Sequence, residues 1–515
     1  MSIFARKPIA ELLAHTEGEG GLARALGPAS LTALGIGAII GSGIFVMTGR
    51  VAADDAGPAV IVSFLVAGLA CALAALCYAE LASMVPVAGS AYTYAQAALG
   101  EIFAWMIGWD LVLEYAMSGA CIASSWSHYF DELLRVAFGV RLPEIIASDP
   151  FSSQGRSIVN LPAVLVMGAV TWLLVVGIKQ SARANAAMVA IKIAIVIFVI
   201  ALGASFVSSS NLFGVPIEAR KPVVDAASKW GLFASLGIDR SLVSVDDAIR
   251  SPFAPYGLSG IMLGSSIVFF AYLGFDCVST HAEEAIRPKR DVPLAILASL
   301  VICTTLYVGV ATVLTGMDPY PTIDTHAAAA SAFRRRAEAG GGVFLRASAA
   351  LIALGALAGM TSVLLVTFLG QARIFLAMAR DGLLPRSLFA SVHPRFRTPH
   401  RSTILTGAVT AVVAGFTPIT KLEEMVNIGT LTAFSVVCVA VLVLRVRRPD
   451  EARAFRCPAL FVVAPAGVLV NVVMMLFLPL DTWLRLFVWL ALGLAIYFTY
   501  GRRSARLARR SGGGA

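Results

Sequence analysis

Twelve apolar segments follow one another between residues 29 and 500, and they constrain the chain more than any motif does. They run approximately 29–49, 59–84, 99–130, 160–178, 185–207, 257–281, 291–315, 347–379, 402–416, 423–444, 459–478 and 483–500. About 20 apolar residues suffice for a helix to cross a bilayer, with tilt absorbing the excess. A composition of 58% hydrophobic and 14% charged residues, with mean hydropathy +0.82, is too apolar for a soluble chain of 515 residues. The expected class is therefore an all-α polytopic membrane protein with twelve transmembrane helices, made for the lipid bilayer. The net charge of +9 does not point to nucleic acid, because the basic residues form short clusters between apolar segments, as cytoplasmic loops do.

An even number of spans puts both termini on one face. Of the 40 Lys and Arg, 23 fall on that face and 15 on the other, so both termini are expected in the cytoplasm. The cluster Arg334-Arg335-Arg336 dissents, since this topology places it outside. The seven cysteines show no C-x-x-C pairing, and no disulfide framework or metal site is expected. No P-loop, nucleophile elbow or H-E-x-x-H site appears, so neither ATP-driven transport nor enzymatic activity is expected, and no cofactor.

Inside the first span the stretch Gly35-Ile36-Gly37-Ala38-Ile39-Ile40-Gly41-Ser42-Gly43-Ile44-Phe45 carries four glycines and a serine, a poor helix at membrane depth. A helix broken there frees backbone N–H and C=O groups, tolerated only where protein buries them or where they line a cavity. The sixth span offers a second candidate break at Phe269-Phe270-Ala271-Tyr272-Leu273-Gly274-Phe275-Asp276. Spans 1 and 6 begin two five-span halves, and because five is odd the second half runs the opposite way. Interrupted helices at matching positions of inverted halves point to a midplane transport site.

Ionisable groups within spans are costly and mark function or partnered structure. Asp110 and Glu114 share one helix face, with Glu114 about 24 Å along its span; a hydrogen-bonded structural carboxylate is the competing reading. Lys192 lies seven residues into its span, within roughly 10 Å of the interface, so that snorkelling competes with a cation held inside the bundle. Arg373 reads as interfacial.

Four stretches in order, Gly35 to Phe45, ELASMVPVAGSAYTY from Glu80 to Tyr94, FFAYLGFDCVSTHAEEAIRPKRDVP from Phe269 to Pro293 and RIFLAMARDGLLP from Arg373 to Pro385, resemble the amino acid/polyamine/organocation transporter superfamily, within it the cationic amino acid transporter family in its shorter bacterial form. The resemblance implies a five-plus-five inverted repeat with discontinuous helices 1 and 6 and two further C-terminal helices. The expected division is a cytoplasmic segment 1–28, a first repeat 29–207, an extracytoplasmic loop 208–256, an inverted repeat 257–444, two helices over 459–500 and a basic tail 501–515. It implies proton-coupled uptake of small neutral L-amino acids by alternating access, in the bacterial inner membrane. Arginine or lysine transport, amino acid exchange and amino-acid sensing by a receptor are the alternatives.

Carried over residue by residue, the resemblance gives the N–H groups of Ser42, Gly43 and Ile44 to the substrate carboxylate, which suits a helix N-terminus. Gly41 and Gly43 permit close approach. The carbonyls of Ile39, Phe270, Ala271 and Leu273 would accept from the substrate ammonium, with the Phe270 ring as an outer gate. Met360 falls where the family lines the side-chain pocket, and its thioether favours small or medium neutral side chains. Lys192 and Glu114 match proton-coupling positions of the family. His281 departs from the family's usual small residue and reads as an interfacial histidine.

Overall fold

A computed structural model describes residues 4, 6–8, 26–87, 90–177, 182–221, 229–237, 239–396 and 398–504; the expected N-terminal segment and basic tail lie largely outside them. Among the described residues there is no strand, only an isolated bridge between Leu26 and Ala285. Eight helical stretches are long and apolar enough to cross a membrane, and three shorter apolar helices accompany them.

In chain order the helices are α1 (Pro28–Ile39), α2 (43–56), α3 (Val60–Met84), α4 (Ser90–Ala98), α5 (Glu101–Phe138), α6 (Leu161–Val176), α7 (Ala182–Ala204), α8 (Asp239–Ile249) and α9 (Gly257–Val268). After a tight 3₁₀ turn over Phe269–Tyr272 come α10 (Cys277–Thr280), α11 (Pro288–Met317), α12 (Ala328–Arg336), α13 (Gly342–Arg380), α14 (His400–Phe416), α15 (Ile419–Arg447), α16 (Leu460–Leu476) and α17 (Leu480–Ile496).

Two breaks interrupt this succession. α1 ends because Ile40 turns extended, at φ −74° and ψ 99°, and the helix restarts at Gly43. The second break falls at Leu273, also extended, and Gly274, whose φ of +117° only glycine adopts without strain. The breaks face each other. A Cβ on Gly43 would sit 2.4 Å from the Cα of Ala271, and one on Gly274 would sit 2.8 Å from the carbonyl of Ala38. Backbone can approach backbone this closely only where no side chain intervenes.

Around the breaks, α11 packs on α1, α3 and α7, while α5 packs on α13 and α15. Polar ties inside the apolar bundle fix these faces. Glu80 of α3 is fully buried and receives Arg445, Arg453 at 3.1 Å and the N–H of Cys457 at 2.8 Å, which fastens the 445–457 segment under α3. The indoles of Trp109 and Trp489 stack at 4.5 Å, and each donates to the other's carbonyl, clasping α17 to α5. Indoles packed between helices need such partners, and here each supplies the other's.

The arginine cluster that dissented from the charge pattern has a structural explanation. Arg334, 7% exposed, donates to Glu132 of α5 at 2.7 Å, Arg335 to Asp318 at 2.5 Å, and Arg336 to the carbonyl of Met317. These arginines fasten α12 to α5 and to the end of α11, so their number says little about orientation. The alanines at the start of α12, Ala328 to Ala330, are wholly buried, with Ala328 pressed against Gly49 of α2. The stretch Ala327 to Ala330, silent in the sequence, is the contact face of a cap.

Candidate functional site

A cavity opens where the two breaks meet. Ala38, Ile39, Gly41, Ser42 and Gly43 line it from the first break; Phe270, Leu273, Gly274, Asp276 and Cys277 line it from the second. Glu114, Tyr115, Ser118 and Ile122 of α5 and Val363 and Thr367 of α13 complete the wall. The lining thus combines helix-terminal backbone, apolar side chains and two carboxyls, the composition expected of a small-molecule site.

Most residues expected to bind substrate lie here. Ile39, Gly41, Ser42, Gly43, Phe270 and Leu273 line the cavity, and the Ser42 hydroxyl, 1% exposed, has no hydrogen-bond partner among the described residues. Ile44 is fully buried just beyond the lining. Ala271 is buried between the breaks, against Gly43. Met360 is fully buried in α13, one turn before Val363, and is not among the lining residues.

Tyr307 is the residue sequence reasoning missed. Its hydroxyl, reaching from α11, lies 3.0 Å from the carbonyl of Ile39 and 2.7 Å from that of Ala271, and donates toward both. One hydroxyl therefore spans the ends of the two broken helices and occupies two of the expected acceptors. Its only signal was a tyrosine mid-span, where a buried hydroxyl requires a partner. Asp276 stood in a quoted motif without a role, and the structure puts it in the cavity wall.

Lys192 does not snorkel. It is 2% exposed, its Nζ donates to the carbonyl of Gly37 in α1 at 2.7 Å, and its stem runs past Gly359 of α13. The ammonium thus bridges α7 and α1 beside the first break, without touching the cavity. Glu114 lines the cavity, and its Oε2 has no hydrogen-bond partner among the described residues. Asp110, 1% exposed, has none at either oxygen, so the hydrogen-bonded structural carboxylate considered for this pair is not found at Asp110. Arg373 sits beyond the cavity, donating to Glu284 at 3.0 Å. His281 is 8% exposed, its Nδ1 lying 2.9 Å from the carbonyl of Cys277 and 3.2 Å from the Thr280 hydroxyl. Among the described residues no group of three or more His, Cys, Asp or Glu is placed to hold a metal ion.

Long apolar helices packed around a cavity at two helix breaks define a membrane-embedded helical protein with an internal cavity. Comparison with known proteins gives the family: residues 26–497 match the family described as amino acid permease, and the chain belongs to it. It is 41% identical over 506 residues to the methylthioribose transporter of Bacillus subtilis (strain 168), covering 98% of this chain and 99% of that one. The branched-chain amino acid permease BcaP of the same organism is 41% identical over 507 residues, with the same coverage. The vacuolar cationic amino acid transporter 4 of Arabidopsis thaliana is 37% identical over 452 residues, 87% of this chain and 68% of that one.

Proposed function

We propose that this protein is a secondary transporter that takes up small neutral amino acids together with protons, by alternating access through twelve membrane helices arranged as an inverted five-plus-five repeat and two further helices. In this reading the first repeat spans 29–207, the second 257–444, and both termini face the cytoplasm of a bacterial cell. The observation that carries it is the pair of facing helix breaks at the cavity, since backbone freed at membrane depth is retained where it binds something. The start of α2 offers N–H donors and a positive helix end to a carboxylate. The carbonyls at the ends of α1 and of the 3₁₀ turn offer acceptors to an ammonium, with the Tyr307 hydroxyl yielding them or sharing them.

Lys192 supports proton coupling. A cation bridging α7 and α1 holds the first break against the opposite bundle; an ammonium that lost its proton would lose about half of that hold, because hydrogen bonds from charged donors are about twice as strong as neutral ones. Protonation at Lys192 then biases the position of α1, and Glu114, at the cavity, carries the charge that responds to substrate.

A second reading, transport of cationic amino acids, is favoured by the two carboxyls, Glu114 and Asp276, in the wall. Purified protein in proteoliposomes decides between them. A thermal-shift screen comes first, with the twenty amino acids and methylthioribose, because a ligand of the folded state alone raises apparent stability. Uptake of the binding compounds under an imposed pH gradient, with no sodium and no internal substrate, is the expected outcome. Exchange without gradient-driven uptake would overturn proton coupling, stabilisation by arginine or lysine alone would establish the cationic reading, and stabilisation by methylthioribose alone would remove amino acids as substrates.

A further inference from the structure

Among the described residues, Asp110 is the most deeply buried carboxyl without a cation or hydrogen-bond donor beside it. It is 1% exposed, and both of its oxygens lack a hydrogen-bond partner among the described residues. Its Oδ1 faces the bare backbone of α15, where a Cβ on Gly429 would lie 2.9 Å away. Three cations on neighbouring helices are engaged elsewhere: Arg334 with Glu132, Arg373 with Glu284, and Arg445 with Glu80. The titratable groups toward the cavity are Glu114 and Tyr115 on α5 itself and Asp276 and Cys277 beyond the second break, and Tyr92 of α4 donates its hydroxyl to Asp381. From α13, the neutral Gln371 amide reaches the Val112 carbonyl at 3.3 Å. A carboxyl buried in a membrane bundle without a partner is costly to keep ionised, and such groups mark proton paths.

Glu114 stands one helical turn further along the same face, with Cβ atoms about 5–6 Å apart. It lines the cavity and has an unpartnered oxygen of its own, and Asp276 lines the opposite side. The three carboxyls therefore run as a series from the α15 contact into the cavity.

We propose that Asp110 is a second proton-carrying site of the transport cycle, which takes its proton from Glu114 and releases it toward the side that bears the chain termini. The step balances simply. The Oδ–H bond of Asp110 breaks as its proton leaves toward the side of the membrane that bears the chain termini; the Oε–H bond of Glu114 then breaks, its proton moves directly or through one water to the Asp110 carboxylate, and Glu114 takes another proton from the cavity. This rests on the proton-coupled reading above and adds to it a second carboxyl.

The test uses the full chain in proteoliposomes with an entrapped pH dye and labelled substrate, comparing the parent with Asp110→Asn. Counterflow of substrate, which needs no net proton movement, reports folding and binding. The expected result is a loss of at least tenfold in pH-gradient-driven uptake, a larger loss than in counterflow, with a lower ratio of protons to substrate. Infrared spectra of the two proteins should also differ by one protonated-carboxyl stretching band. An unchanged proton ratio and pH profile in Asp110→Asn overturns the proposal, as does a spectrum that loses only an ionised-carboxylate band. If Asp110→Asn fails to fold, Asp110→Glu serves: retained uptake with a shifted protonated-carboxyl band supports the site, and an unmoved band overturns it. Absent counterflow in the parent would sink the transport reading itself, a different result from intact counterflow with a relay that fails.

Discussion

Replacing Lys192 with methionine isolates the ammonium from the shape that carries it. The unbranched thioether fills the channel past Gly359, where the lysine stem runs, and leaves the Gly37 carbonyl without its donor. Hydrogen bonds to charged groups contribute about 1.5–3 kcal/mol. At about 1.4 kcal/mol per tenfold change, losing this one shifts the balance between positions of α1 by roughly 10- to 150-fold. The same substitution removes a charge that was 98% buried, and exchanging buried charge for apolar volume is often neutral or stabilising. The two effects separate: pH-driven uptake in proteoliposomes should collapse while the melting temperature holds or rises. Lys192→Ala should lose uptake equally but melt lower, because it also opens a void. Uptake by Lys192→Met at the parent rate, with the parent's pH dependence, would refute the coupling role.

Three further outcomes follow from the packing. Glu80→Ala strands two arginines and the Cys457 N–H and should destabilise the protein by about 3–5 kcal/mol, read as a lower denaturation midpoint in detergent. Gly43→Ala drives a methyl into the Ala271 backbone and should abolish substrate-dependent thermal stabilisation, whereas Gly168→Ala, with nothing within 4 Å, should leave it intact; equal effects would deny that the breaks meet at the site. Cys277 lines the cavity, so thiol labelling there should slow when substrate is added and vanish in Cys277→Ser; labelling indifferent to every binding compound would put the substrate elsewhere.

Much of this architecture was legible in the chain. The apolar segments announced membrane helices, and the glycines from 35 to 43 announced a break, because composition and helix propensity are local properties. The Phe269–Asp276 stretch was harder, since its aromatics read equally well as core, and only the positive φ of Gly274 shows where the helix gives way. The extent of α12 and the purpose of Arg334 to Arg336 were not legible at all. Their partners Glu132 and Asp318 are supplied by other elements.

The sequence by itself determined that the protein is helical and made for a membrane, and that its first helix is interrupted, because a bilayer enforces helix length and makes a glycine-rich interruption conspicuous. Only the tertiary structure decided what lies against what: Gly43 against Ala271, Tyr307 across the ends of both helices, and Lys192 on Gly37. These are pairings between residues tens to hundreds of positions apart. Whether a buried polar group meets a partner depends on which helix packs beside it, and no local pattern carries that information.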